Sequence, residues 1–200
     1  MVVVEAVAGS YAGLWGKPAR TNTFEVDKYA VEVLKWDART NTEGVALYAT
    51  LGASAWPLPG CPLALRREFF VGLSRPCDKI AGSLAALSLY SAREGVSLDH
   101  GHTVPSDGPL WPGSPMSSFL VVRPKSGFLP PLKLPQGFRV EFLQAIPIYE
   151  SERSYKKTYG VDALIECWAE ARTALYDPDR PPNPVCLARS GLGEKTFLGV

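Results

Sequence analysis

Phe138-Arg-Val-Glu-Phe-Leu-Gln-Ala-Ile-Pro-Ile148 reads as a β-strand, and its position in the chain decides the fold class. Ahead of it stands a second strand pattern, Ser118 to Val122 (SFLVV), joined to it as a hairpin through the proline-rich segment Pro124 to Gly137. Behind it the pattern turns helical. Ser151 to Tyr159 reads as a short polar helix stopped at Gly160. Asp162 then caps a second helix with the stripe Leu164, Trp168, Ala171 and Leu175. The run Asp177 to Pro184 (DPDRPPNP) ends that helix, and residues 184–200 read as a loose tail.

Further upstream, Lys28 to Trp36 alternates as a strand, with Val31 and Val33 on one face and Ala30, Glu32 and Leu34 on the other. Asn41 to Gly44 (NTEG) is a turn, Val45 to Leu51 a second strand, and Arg67 to Leu73 a third, after the proline-rich loop Trp56 to Leu63. Pro76 and Asp78 announce a helix that Gly95 ends, with its core stripe on Ile80, Leu84 and Leu87. The segment His100 to Met116 holds four prolines and three glycines, which excludes a helix or a central strand. Strands first, helices segregated and one parallel crossover make an α+β domain: a mixed, mainly antiparallel sheet covered by a few helices. At 200 residues the chain reads as a single domain, 1–200.

Composition bounds the function. With 46% hydrophobic and 20% charged residues the chain has the makings of a core. Its 21 basic and 20 acidic residues give a net charge of +1, so nucleic acid, which needs a basic field, is not expected as a partner. Pairs such as Arg66-Arg67 and Lys156-Lys157 read as solvated surface. No apolar run approaches the ~20 residues of a membrane span. The N-terminal residues 1–8 carry Glu5 and no basic region, as a signal peptide would require. Cys61, Cys77, Cys167 and Cys186 form no C-x-x-C pair and read as free thiols, with Cys77 and Cys167 as buried structural ones, in a cytoplasmic protein.

No phosphate-cradling glycine loop, nucleophile elbow or zinc helix is present. His100 and His102 are the whole histidine supply. Spaced i and i+2, they are able to face one metal with Asp99, Asp107 or a distant cysteine, which keeps a metal-dependent or hydrolytic enzyme as the alternative function. The simpler reading makes Asp99 and Asp107 turn residues and Glu141 a strand charge facing solvent. The expected sites are therefore no catalytic residue, no metal and no cofactor. A partner-binding surface is expected instead, on His102, Asp107, Trp111 and Trp56, where loop aromatics and rigid prolines suit a protein interface. For Trp56 and Trp111, capping the edge of the core is the competing role, and Tyr155 and Tyr159 read as core.

The order of several segments resembles the suppressor-of-fused family. Tyr48-Ala-Thr-Leu-Gly-Ala-Ser54, Arg67-Glu-Phe-Phe70 and Gly101-His-Thr-Val104 carry the resemblance, as do Val140-Glu-Phe-Leu-Gln-Ala-Ile-Pro-Ile148, Glu152, Tyr159-Gly160 and Ala163-Leu-Ile-Glu-Cys-Trp168. It spans residues 36–180. The resemblance implies an α+β domain with no known catalysis that sequesters a protein. Animal members bind a zinc-finger transcription factor in a groove shared with a second domain, for which this chain has no room. Stand-alone bacterial members resemble immunity proteins that cover a toxin domain, and that partner is the expectation here.

Overall fold

The computed structural model describes residues 2–26, 28–58, 60–125 and 127–189. In chain order the elements are α1 (Val2–Trp15), β1 (Arg20–Val26), β2 (Tyr29–Trp36), β3 (Ala46–Leu51), a 3-10 turn (Ala53–Ala55), β4 (Leu65–Leu73) and α2 (Ile80–Glu94). There follow β5 (Thr103–Pro105), β6 (Ser118–Val122), β7 (Leu132–Lys133), β8 (Arg139–Ile148), α3 (Glu150–Tyr159), α4 (Val161–Glu170) and α5 (Pro184–Arg189). The strands form one eight-stranded sheet in the order β1-β2-β3-β4-β8-β6-β5, with β7 beside β8. Every pairing is antiparallel except β4 with β8, in register from Leu65↔Arg139 to Phe70↔Gln144. This is the expected α+β fold, with a mixed and mainly antiparallel sheet.

The two sheet faces have different covers. On one, Val31, Val33, Phe69, Val71, Phe119 and Leu143 pack under α2, whose Ile80, Leu84 and Leu87 form the predicted stripe. Gly95 ends that helix in the left-handed region at φ 68°, open to glycine at little cost. On the other face α1 lies over Leu34, Trp36, Leu47 and Phe142, burying Val7, Tyr11 and Trp15, one helical turn apart. Toward β6 and the end of β8, the same face is covered instead by α3, α4 and α5, over Leu120, Val122, Ile146 and Ile148. Between the two covers Val122, Gln144 and Ile146 floor a groove of about 550 Å³.

Neither α1 nor β1 is foreseen by the sequence reading. Gly9 and Gly13 dilute the helical signal of α1, and polar Arg20–Val26 (RTNTFEV) is an edge strand with little to bury. In α4, Asp162 sits in the first turn with Gly160 at the cap position. Ala171 is exposed and Leu175 lies beyond the helix, because the chain turns left-handed at Arg172 (φ 49°). Of the tail, Pro184–Arg189 is a short helix that buries Cys186; the remainder, 190–200, lies outside the described residues. No helix among the described residues is long and apolar enough to cross a membrane.

Cys167 and Cys186 are buried with their sulfurs 3.8 Å apart, and Cys61 and Cys77 are partly exposed. All four are free thiols. Burial, the neighbouring thiol and Glu152 push the Cys186 thiol up to about 12, so it stays protonated and unreactive in the folded protein. Titration with a chromogenic disulfide is expected to find Cys61 and Cys77 before denaturation and all four thiols after it, without reductant. Two unreactive cysteines after denaturation would show a disulfide instead.

Candidate functional site

The turn that leads into the segment His100 to Met116 forms beside one buried cation. Arg67, on β4, is 4% exposed, although the Arg66-Arg67 pair reads as solvated surface. Arg66 is buried too, over the ring of Phe138 at 4.9 Å. The guanidinium of Arg67 donates to Ser97 Oγ (2.9 Å), the Leu98 carbonyl, Asp99 (3.1 Å) and Glu141 (3.4 Å). Glu141 is thereby the neighbour of a buried cation, paired also with Arg139, and does not simply face solvent.

Asp99 gathers the next turn. It accepts from the His100 amide (2.6 Å) and pairs with Arg123 on the far side (3.0 Å). Burial alone would raise its carboxyl. The His100 amide and the guanidiniums of Arg67 and Arg123 outweigh that and hold it below the usual carboxylate range. Its contribution to stability is thus present above the usual carboxylate range and lost as pH falls from there through the lower folded value. Gly101 follows at φ 83°, where a Cβ would stand 3.2 Å from Val161 of α4. Any side chain there is both strained and crowded. The backbone then pairs as β5, on the open edge of the sheet.

This turn separates the two histidines. Nδ1 of His102 accepts from the Asp99 amide (3.1 Å), and Nδ1 of His100 accepts from the Arg123 amide (3.2 Å). Each ring is therefore tied by one nitrogen to backbone, and the Asp99 carboxylate is taken up by two arginines. Among the described residues no group of three or more His, Cys, Asp or Glu is arranged to hold a metal ion.

The four expected partner-binding residues lie in unlike settings. His102 and Asp107 are exposed on the loop. Trp111 is 7% exposed and belongs to the core under α2, with Leu110 and Met116, so its indole anchors the loop from inside. The distal half of the loop folds onto α2, where Ser83 donates to the Leu110 carbonyl (2.5 Å). Trp56 stands half-buried elsewhere, edge-on to Tyr29 with ring centres 4.9 Å apart. Tyr155 is core, while Tyr159 is 49% exposed, because α3 turns its last residue outward.

Two features were not anticipated from sequence. Arg67 was hidden because a charged pair on a strand looks solvated unless its buried partners are known. The groove at the gap between the two covers depends on how helices separated in sequence lie on one sheet face, which no local pattern encodes.

Against known proteins, the family model for suppressor of fused protein (SUFU) matches residues 27–181. Among curated proteins no sequence matches. Among solved structures, a chain of the Sufu-Fu complex is similar over 94% of this chain and 94% of its own length, with a TM-score of 0.67 and 15% identity. A SUFU homolog from Neisseria gonorrhoeae FA 1090 is similar over 90% of this chain and 95% of its own, at TM-score 0.66 and 19% identity. Drosophila Suppressor of Fused matches 96% of this chain at TM-score 0.66 and 15% identity, and this chain spans 53% of its length. These structures share the fold, and the family model covers most of the sequence: the chain belongs to the suppressor-of-fused family.

Proposed function

We propose that the domain is a non-enzymatic binding protein that sequesters a protein partner, and that this partner is a toxin domain, covered as by an immunity protein. One observation carries the binding reading. The turn at Asp99–His102 is fixed by buried Arg67, while His102 and Asp107 stay exposed beside the open edge of β5. Polar groups held in place before binding lose little entropy when a partner arrives, and an open strand edge offers backbone hydrogen bonds. The Sufu-Fu complex supports the same reading, since there a chain of this fold is found with another protein. Trp56 contributes a second, half-exposed contact, whereas Trp111 acts through the shape of the loop.

The test uses the full chain as bait and its partner captured from the native host. The paired change His102→Ala/Asp107→Ala is expected to weaken binding by about 2 kcal/mol or more, with the melting midpoint unmoved. Trp111→Ala is expected to lower the midpoint instead. If affinity survives the paired change, the loop is not the binding face. Coexpression with a toxin gene adjacent to this one tests the immunity role: cells left unprotected exclude it.

A further inference from the structure

The gap in the cover of the sheet joins the apolar side chains of Val122 and Ile146, beside Gln144, to a basic rim. Ile165 stands on its wall, 39% exposed despite being a large aliphatic side chain. Around the mouth lie His100, Arg123, Lys125 and Arg172, and among the described residues no carboxylate lines it. Arg123 is paired with Asp99, but neither Lys125 nor Arg172 has a carboxylate partner among the described residues. In a chain whose charges nearly cancel, such a local imbalance of sign is a property of the site and not of the composition.

Arg172 adds an independent observation. It is the one non-glycine residue with positive φ among the described residues, at 49°, in the position after α4 where glycine is the ordinary choice. A residue with a Cβ is strained there. The strained turn places its guanidinium at the mouth, across from Lys125 on the loop after β6. The carbonyl end of α4 favours a cation nearby, but it does not account for Lys125 on another element.

We infer that this groove docks a segment of the protein partner that carries carboxylates beside a large aliphatic or aromatic side chain. The apolar side chain lies on Ile165 and the sheet floor, and its neighbouring carboxylates face Lys125 and Arg172. The inference rests on the protein-binding reading and adds the chemistry of the partner. Its site is distinct from His102 and Asp107, so either one fails without the other. Nucleic acid would answer the charge but not the apolar floor.

The probe is acetyl-Glu-Asp-Leu-Phe-Glu-Glu-amide, titrated into the isotope-labelled full chain and followed by amide and indole NMR shifts. Shifts are expected to cluster at Val122–Lys125, Ile146 and Ile165–Thr173. Charge reversal by Lys125→Glu/Arg172→Glu is expected to weaken binding at least about tenfold, with the remaining spectrum confirming the fold. Raising ionic strength until the Debye length falls from about 30 Å to about 8 Å should weaken it as well. Lys125→Gln/Arg172→Gln should give an intermediate loss. The inference is overturned if acetyl-Lys-Lys-Leu-Phe-Lys-Lys-amide perturbs the groove equally, if the acidic peptide perturbs another surface or none, or if an oligothymidine binds the groove more tightly.

Discussion

Arg180→Met is expected to cost about 3–5 kcal/mol of stability, more than most single changes in a domain of this size. The side chains of Arg180 and Glu152 are 1% and 0% exposed, joined by two parallel bonds of 2.6 and 2.7 Å. Glu152 also accepts from the indole of Trp168 (3.2 Å) and the amide of Tyr149 (3.0 Å), and Arg180 donates to the Pro147 carbonyl (3.0 Å). The hydroxyl of Tyr149 closes the ring on the Arg180 carbonyl. This network ties the end of β8 to α3, α4 and the segment before α5. Removing only the cation strands a carboxylate in a dry interior, and that desolvation sets the cost. Glu152→Gln/Arg180→Met removes both charges, so it should cost less than Arg180→Met alone. Urea unfolding followed by tryptophan fluorescence compares the variants, with Trp168 inside the network as reporter. A loss below about 1 kcal/mol for the single change would mean that water reaches Glu152.

Glu68→Ala should be comparably severe, about 4 kcal/mol or more, for a different reason. Glu68 is fully buried and pairs with no cation among the described residues. Its carboxylate accepts from Thr50 Oγ1 (2.6 Å), the Gly52 amide (2.9 Å), and both the amide (2.9 Å) and hydroxyl (2.6 Å) of Ser54. Alanine leaves those donors unsatisfied around a cavity. Glu68→Gln keeps an acceptor toward Gly52 and Ser54 and should lose far less. The two forms also differ in pH response. Burial raises the Glu68 carboxyl above its ordinary 4.5, despite the opposing hydrogen bonds from Ser54, Thr50 and Gly52. The folded state therefore binds the proton more tightly than the unfolded one. Its contribution is fully present below 4.5 and is lost as pH rises through the folded value. The wild type should gain stability over Glu68→Gln as pH falls toward that range, so that the gap between the two curves widens on acidification. Parallel curves would show that Glu68 does not titrate differently on folding.

Much of the fold could be read because the strong apolar patterns coincide with buried elements. The stripe of α2 is buried as expected, and the apolar strands ending in Leu51, Leu73, Val122 and Ile148 are buried along most of their length. The segments that escaped notice carry weak signals: α1 is interrupted by glycines, and β1 is polar. Of the residues of the proposed binding surface, His102 and Asp107 are exposed on the loop. Trp111 shows the limit of such reasoning. A tryptophan between Leu110 and Pro112 reads equally as anchor or plug, and only the path of the loop over α2 decides for plug. Charges misled most. Arg66, Arg67 and Glu141 look solvated one at a time, and Arg67 meets Glu141 only when β4 and β8 come together.

That pairing also governs how the chain is made. β4 meets its parallel neighbour only after β8 has been synthesised, so during elongation its Phe69-Phe70-Val71 run waits on an open edge. Such an edge is a template for wrong association between nascent chains. Arg66, Arg67 and Glu68 stand directly before that run, and in the unfinished chain they are its gatekeepers, where charge discourages stacking of one chain on another. The residues that later become the buried charges of the finished domain thus protect it while it is still incomplete.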